Sequence, residues 1–584
     1  MKSESISPCL IFLLFIALQI HGSIFYVSPS GNNSDPGTNQ YPWATPGYGS
    51  KQINGGDTLV IQSGEYHLSV FWDDMITPPS GTAAHWTVIR GTSGSRPMLK
   101  GSNNLFSAIT LSNTDYVQIS NLEICSDNGA LFREGVESWD PAGHIILKNL
   151  NVHHIDGMAV NMRDIQNLEI DSCIFSYCAF GCIGGPAGSS GGWRNVTISS
   201  CTLSYSGHYY QGVTQPGVSP YDRPDGFGIE PSEGPVEIID CCAKHNRGDG
   251  LDSKAARTFI HHCIVSNNTC DGIKLWGDSS RVHNCLIYGT GDGDATSPWS
   301  PLVIDNIDVP GYYFEIFNTT IHDNPIRPAY PMYVQYSGTG ALDLVMKNTI
   351  ISNGHGVVYF GNPVNLTSEY NCFYRPGESI QVTASGRNYT AAEINKGDLG
   401  SGNFVGDPLF ESPAWGTEGD FHLLPSSPAI DTGCWGGTIP DNDLEYRERP
   451  LGDGTDIGAF EFRPAVIQIR VFLEGAYSSQ EGIMTASLSQ SGQLPTHSPY
   501  SENPRQIDIM PANITDWILI QLRNTVNGPS VVSKSVLLRQ DGFLVADDGL
   551  TAQVTLNCKT GFYYLVLRHR NHLSIISTEP VHIQ

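Results

Sequence analysis

The chain has 584 residues, with 62 glycines, 15% charged residues and 10% aromatics, a composition that suits a turn-rich all-β protein better than a helical or disordered one. Its formal net charge of −26 argues against nucleic acid or an acidic membrane surface as partner, because both are met through basic patches. An acidic polysaccharide stays open as a ligand, provided bridging cations or a local basic cluster receive it.

The amino terminus has the form of an export signal. Lys2 supplies a short basic region, Cys9 to Ile20 an apolar core, and Gly22 and Ser23 the small residues of a cleavage point. The apolar run is too short for a membrane helix, which takes about 20 residues. Residues 1–22 are therefore expected to be removed, leaving a secreted, soluble protein without a membrane span.

Two strand-like segments follow, IFYVSPSGNNSDPGT from Ile24 and GGDTLVIQSGEY from Gly55. This opening resembles the cap and first turns of secreted, pectate-lyase-like right-handed β-helix proteins. From Trp86 to Leu203, apolar-alternating runs recur (WTVIRG, DYVQISNLEI, HIILKNLNV, QNLEIDSCIF, RNVTISSCTL), each reading as short strands joined by Asn, Asp or Gly. Cys173, Cys201, Cys241, Cys263, Cys285 and Cys372 fall at similar places in successive runs. An exported chain with 14 cysteines can carry a disulfide framework, but this placement reads as a ladder of small, free, inward side chains. No CxxC pair with matching partners suggests zinc.

Between Cys201 and Cys241 the spacing stretches to 40 residues, against ~22 for a simple repeat. The extra stretch, Ser206 to Pro224, carries His208, Tyr209, Tyr210, Tyr221 and Arg223. It reads either as a wall of a binding groove or as a loop packed for stability alone.

The segment from Asp225 to Gly277 organises the rest. Asp225-Gly226, Asp249-Gly250 and Asp271-Gly272 each open a unit, spaced 24 and 22 residues apart, and each leads into an apolar residue: Phe227, Leu251, Ile273. A period in the low twenties built from short β-runs and turns is the signature of a solenoid, here a parallel β-helix. Equivalent positions then stack at ~4.8 Å. Asp225, Asp249 and Asp271 form one expected column, and Gly228, Asp252 and Lys274 a second, with Phe227, Leu251 and Ile273 facing inward. Carboxylates stacked this closely repel each other, and a bound cation relieves them. Asp-Gly is also a common turn dipeptide and Lys274 can be a solvated surface lysine, but Asp252 and Lys274 fall in register without being turn residues. Arg247, Lys254 and Trp276 flank the same face and are candidates to hold substrate carboxylates or rings.

Residues 278–400 continue the solenoid with longer loops. The Asp292 and Asp294 pair there lacks the spacing of a full calcium loop and reads as a solvated turn. GDPLF, FHLLPSSPAIDTG and TDIGAFEF look like closing turns, which puts the β-helix at residues 23–463. From Pro464 to the end, alternating strands between polar turns suit a small antiparallel β-sandwich, an accessory or attachment domain. His569 to His572 reads as an exposed hairpin. Nothing signals an oligomer, so a monomer is expected.

The segments DGFG, GDGLDSK and DGIKLWG resemble those of family 9 polysaccharide lyases, the β-helical pectate lyases, which carry a DGF, a DDGxD-like cluster and a GFKLGG-like segment. The resemblance implies Asp225, Asp249 and Asp252 as ligands of Ca2+ and Lys274 as the base. Where the family's cluster often begins with two adjacent Asp, this chain has Gly248-Asp249; Glu230, Ser253 or Asp271 are the candidates to replace the missing carboxylate. The implied activity is β-elimination on an acidic polysaccharide: a base removes the C5 proton beside the uronate carboxylate, while a cation stabilises the developing charge. Two other readings share the fold. One is a β-helical glycoside hydrolase using Asp249 and Asp252, and the other a non-catalytic glycan-binding solenoid or adhesin.

Overall fold

Each repeat supplies three strands too short to stand alone, so each can satisfy its backbone only against the coils before and after it. A computed structural model describes residues 22–209, 224–291, 300–306, 312–323, 330–336, 341–354 and 356–583. The export signal up to residue 21, Tyr210, Tyr221 and Arg223 of the insertion, and the Asp292/Asp294 pair lie outside them.

The strands assemble into three parallel sheets, and the all-β, right-handed parallel β-helix read from the sequence is what forms. The first sheet has 13 strands, from Ile24–Val27 to Val364–Glu369, and the second 13, from Glu65–Leu68 to Phe404–Val405. The third has 12 and starts at Leu105–Thr110. It ends where Ile380–Ala384 meets Arg387–Thr390 in an antiparallel pair.

The chain divides into two compact units, Met1–Glu237 with Asn246–Gly248, and Ile238–His245 with Asp249–Gln584. A coil of the first runs through Met158–Met162, Ile165–Asp171 and Ile174–Cys178. In the second unit a coil runs through Leu251–Ala255, Thr258–His261 and Ile264–Ser266, and the next through Ile273–Leu275, Ser280–His283 and Leu286–Tyr288.

One corner explains the cysteines. The chain leaves the first sheet through a single residue in the left-handed region: Asn121, Asn149, Ser172 and Ser200 in the first unit, Asp240, His262 and Asn284 in the second, with φ between 48° and 57°. Asn and Asp tolerate that region best among residues with a side chain. The following residue turns into the interior, and it is Leu122, Leu150, Cys173 and Cys201, then Cys241, Cys263 and Cys285, all buried. Their thiols donate to the carbonyl two residues back, as Cys263 does to His261 at 3.3 Å and Cys285 to His283 at 3.2 Å. Burial holds the Cys263 thiol well above its ordinary pKa. All 13 described cysteines are free. Cys372 departs from the expected ladder: it stands opposite Ile350 in the second sheet, and the buried Asn371 takes the inward position after the left-handed Tyr370, donating to the Met346 carbonyl at 3.0 Å.

Inward positions stack as alternation requires. Leu251, Ile273, Leu302 and Met332 lie in register and each is 0% exposed. Beyond Ala465 the strands are antiparallel. A sheet ordered Leu544–Val545, Ser530–Arg539, Ile514–Arg523, Gly561–Arg568, Ile575–Ile576 buries both faces. Ile518, Ile520 and Leu522 pack with Ala465, Val554 and Leu556, which lie on a two-stranded sheet. Trp517 and Leu519 pack on the other side with Leu494, Tyr500 and Ile507. The turn from His569 to His572 joins two antiparallel strands and is exposed at Arg570, Asn571 and His572, while the His569 Nε2 lies 3.2 Å from the buried Asp516 Oδ2, which Arg570 also contacts at 2.9 Å.

Ile273→Ala should open a cavity in the stacked interior and cost about 2–5 kcal/mol, read as a lower denaturation midpoint. An unchanged midpoint would mean the column is not close-packed there.

Candidate active site on the third sheet

In the second unit the site starts at the corners that lead into the third sheet. The Asp271 N–H donates to Asp249 Oδ1 at 2.8 Å, and the Ser300 N–H donates to Asp271 Oδ1 at 2.9 Å. Each Asp-Gly carboxylate thus uses one oxygen to tie its coil to the next. The glycines are required by close approach. A Cβ on Gly250 would lie 2.7 Å from the Gly272 carbonyl oxygen, and one on Gly272 2.4 Å from that of Pro301.

The second oxygens face a lysine. Lys274 Nζ stands 3.4 Å from Asp271 Oδ2 and 3.9 Å from Asp249 Oδ2. Lys274 sits directly opposite Asp252 in the strand pairing, as the repeat spacing predicts. Asp252 accepts the Trp276 indole N–H on Oδ1 at 2.8 Å, and Lys254 Nζ lies 3.9 Å from its Oδ2. A carboxylate oxygen of Asp252 comes within 4.8 Å of one on Asp249. The Trp276 ring centroid is 5.1 Å from Lys274 Nζ and 5.8 Å from Lys254 Nζ. The indole is therefore close to two ammonium groups while its N–H orients Asp252.

Crowding sets the charges. Burial, with Asp249 adding to it, pushes the Asp252 carboxyl up to about 7, against the pull of Lys254, Lys274 and the indole N–H. Asp271 is pushed to about 7 by burial and Asp249 in the same way. At Lys274 burial acts to lower the pKa, but Asp249, Asp271 and Asp252 together outweigh it and raise the group above its ordinary value. The protein's own groups therefore keep Lys274 protonated, which is not the state a base needs.

Of the three candidates to replace a missing carboxylate, Asp271 joins the cluster. Ser253 faces the interior, its hydroxyl 2.7 Å from that of Thr258. Glu230 lies in the first unit, on the strand Phe227–Ser232. Asp225 and Arg247 also belong to that unit. Asp225 folds over its own strand, where a Cβ on Gly228 would meet its Oδ2 at 2.7 Å. The Arg247 N–H donates to the Ser206 carbonyl at 3.1 Å. At the root of the insertion, Tyr209 shares a hydrogen bond with the Ser126 hydroxyl at 2.9 Å and packs edge-on against His154. His154 itself stacks on Tyr177, which stacks on Tyr205. That part of the insertion is packed for stability.

The second unit thus brings together Asp249, Asp252, Lys254, Lys274 and Trp276, and adds Asp271. Their donor set is carboxylate oxygen throughout, hard ligands that suit Ca2+ or Mg2+ rather than a thiol- or imidazole-seeking metal. Sequence reasoning missed Asp305, on the strand Leu302–Asn306, whose carboxyl is raised by burial and lowered by Lys274. No Asp-Gly or register signal marks it.

Residues 25–285 match the family model of the Pel9A-like right-handed beta helix region, so this part of the chain is similar to that β-helix region. No curated protein sequence matches the chain. Solved structures of similar fold include the complex of XylC with xylose, at 11% identity over 75% of this chain and 98% of that one, with a TM-score of 0.50. The pectate lyase Pel9A matches at 16% identity over 75% and 96%, TM-score 0.43. The A-module of the Azotobacter vinelandii mannuronan C-5 epimerase AlgE4 matches at 12% over 54% and 85%, TM-score 0.40. At these identities the likeness is one of fold. Among the described residues, no helix is long and apolar enough to cross a membrane.

The raised Asp252 gives a pH dependence of known sign. Its unfolded-state carboxyl ionises near pH 4, its folded one near 7. The cost of burying this charge therefore grows as pH rises between those values and is fully present above the upper one. Asp252→Asn keeps an acceptor for Trp276 and removes that cost. In chelator, the variant should gain thermal stability relative to wild type on going from about pH 5 to about pH 8. A difference independent of pH would show that Asp252 is not held protonated by its surroundings.

Proposed function

We propose that the protein is a secreted, calcium-dependent polysaccharide lyase that cleaves a polyuronide of the pectate kind by β-elimination. The observation that carries this reading is a single lysine, Lys274, set against Asp249, Asp252 and Asp271 on the outer face of a pectate-lyase-like β-helix.

Asp249 and Asp252, with Asp225 at the equivalent Asp-Gly of the preceding repeat, are the proposed calcium ligands, and Asp271 replaces the carboxylate that Gly248 leaves out. When bound, calcium supplies charge neutralisation at the uronate carboxylate and at the enolate that develops from it. Lys274 takes the C5 proton, the C5–H electrons form the C4–C5 double bond, and the C4–O bond breaks with its pair on the glycosidic oxygen. Lys274 becomes competent for this once the three carboxylates that hold its proton are otherwise engaged, because they are the cause of its raised pKa. Trp276 fixes Asp252 through Oδ1 and leaves Oδ2 to the site. Lys254 and Arg247 are the proposed partners of substrate carboxylates. An export signal at 1–22, a catalytic β-helix at 23–463 and an accessory module at 464–584 complete the proposal, with a monomer acting outside the cell.

A second reading draws on the electrostatics. A protonated Asp252 beside Asp249 is the pairing of acid and base that a β-helical glycoside hydrolase uses.

Absorbance of the unsaturated product near ~235 nm separates the two, since only elimination by a base with a metal makes the double bond. On polygalacturonate the expected result is a calcium-dependent rise, abolished by chelator and reduced about 10²–10⁴-fold in Lys274→Ala. Reducing sugar released without that absorbance, and retained in Lys274→Ala, would replace the lyase with the hydrolase. Binding without either product would leave a glycan-binding solenoid.

A further inference from the structure

The outward column that holds Asp252 and Lys274 continues along the third sheet of the second unit. Lys274 pairs with Val303, Val303 with Tyr333, and Tyr333 with Tyr359. Tyr333 is therefore two strands beyond Lys274, ~10 Å at the inter-strand spacing, about the length of a disaccharide. Its ring stacks on that of Tyr359 with centroids 5.2 Å apart and planes 18° apart, and Tyr330 adds a third ring 5.0 Å from Tyr333 and 5.8 Å from Tyr359. All three are half-exposed rather than buried. Tyrosines closing a solenoid interior would point the other way, beside Met332, Val334 and Phe360, which are fully buried.

A polar group accompanies the rings. Asp305 follows the inward Ile304 on the strand beside Tyr333. Its Oδ1 is buried and has no hydrogen-bond partner among the described residues, an expensive arrangement for a carboxylate unless a ligand supplies the donor. The charges of Lys274 on Asp305 and of Asp305 on Tyr333 are both felt, so the carboxylate lies along the way from the lysine to the rings.

We propose that Tyr330, Tyr333 and Tyr359, with Asp305, form a sugar-binding subsite for the same polysaccharide chain, about two sugars from the one at Lys274. The rings offer a broad apolar face to the C–H face of a pyranose, and Asp305 accepts a hydroxyl from the sugar edge. A carboxylate at this place repels a uronate carboxylate, so the bound sugar turns its hydroxyl edge toward Asp305. The column that aligns the reacting residues thereby also measures the chain, and long substrates gain what short ones cannot. This inference rests on the lyase reading above.

The test is chain-length dependence of KM on galacturonate oligomers. Tyr333→Ala and Tyr359→Ala should each raise KM for an octamer about tenfold and cut the advantage of the octamer over a dimer, which is too short to reach from Lys274 to the rings. Tyr333→Phe, which keeps the ring, should restore the octamer KM. An unchanged denaturation midpoint serves as the folding control. An octamer KM unchanged in both alanine variants, or dimer and octamer weakened equally in folded variants, would overturn the subsite while leaving the lyase standing. A wild-type protein that makes no unsaturated product from any oligomer would sink the lyase reading and the subsite with it.

Discussion

Parallel strand pairing in register is the constraint on which this molecule depends. Every coil must offer its backbone groups to the next at one spacing, so whatever stands at a given position is stacked on its equivalent one strand away. Inside, this is harmless: Leu251, Ile273, Leu302 and Met332 simply continue an apolar column. Outside, it forces together groups that would otherwise separate, and the repulsion among Asp249, Asp252 and Asp271 follows from backbone geometry rather than from anything the side chains prefer. Asp249 and Asp271 could not relax apart without breaking the N–H bonds their Oδ1 atoms accept.

That division between two oxygens of one carboxylate shapes the site's electrostatics. The oxygen tied to the backbone fixes the side chain and stabilises its ionised form, while the other is aimed at Lys274. Burial and mutual repulsion then work in the opposite sense, and at Asp252 and Asp271 they win. Lys274 compensates this from within the cluster, as Lys254 does beside Asp252, and Lys274 is held as an ammonium for that reason. A site with this imbalance is suited to a hard cation, and the same cation-carboxylate pairing would remove what keeps Lys274 protonated. On the proposed lyase reading, charge neutralisation and base activation would be one event rather than two.

Much of this was legible in the sequence because the coils around it are short and nearly equal. Spacings of 24 and 22 between Asp-Gly pairs suffice to put Leu251 against Ile273 and Asp252 against Lys274, and both pairings form. The thiol ladder was readable for the same reason as far as Cys285. It failed at Cys372 because the motif alone does not say which residue takes the left-handed corner: Tyr370 does, with φ 54°, and Asn371 follows it inward. The role of Trp276 was not legible either. The spacing does not say that its indole N–H donates to Asp252, or that its ring centroid lies 5.1 Å from Lys274 Nζ and 5.8 Å from Lys254 Nζ. Beyond residue 278 the coils lengthen and become unequal, so nothing in the spacing aligns Lys274 with Val303 or Tyr333 with Tyr359.

Unequal coils also bear on what such a scaffold can do. Only the strands must keep register; the corners between them are free to vary in length, as they do after Gly277, without disturbing the column on the third sheet. A row of outward positions at a fixed spacing, with variable loops at its edge, is a natural match for a polymer whose own repeat is comparable to a strand or two. On the proposed reading the acidic cluster and the tyrosine face would be one surface written by one rule, with charge at the coil where a bond would break and flat apolar rings where the chain would only be held. What distinguishes the two regions is not the backbone, which is the same in both, but whether the stacked side chains repel or attract each other.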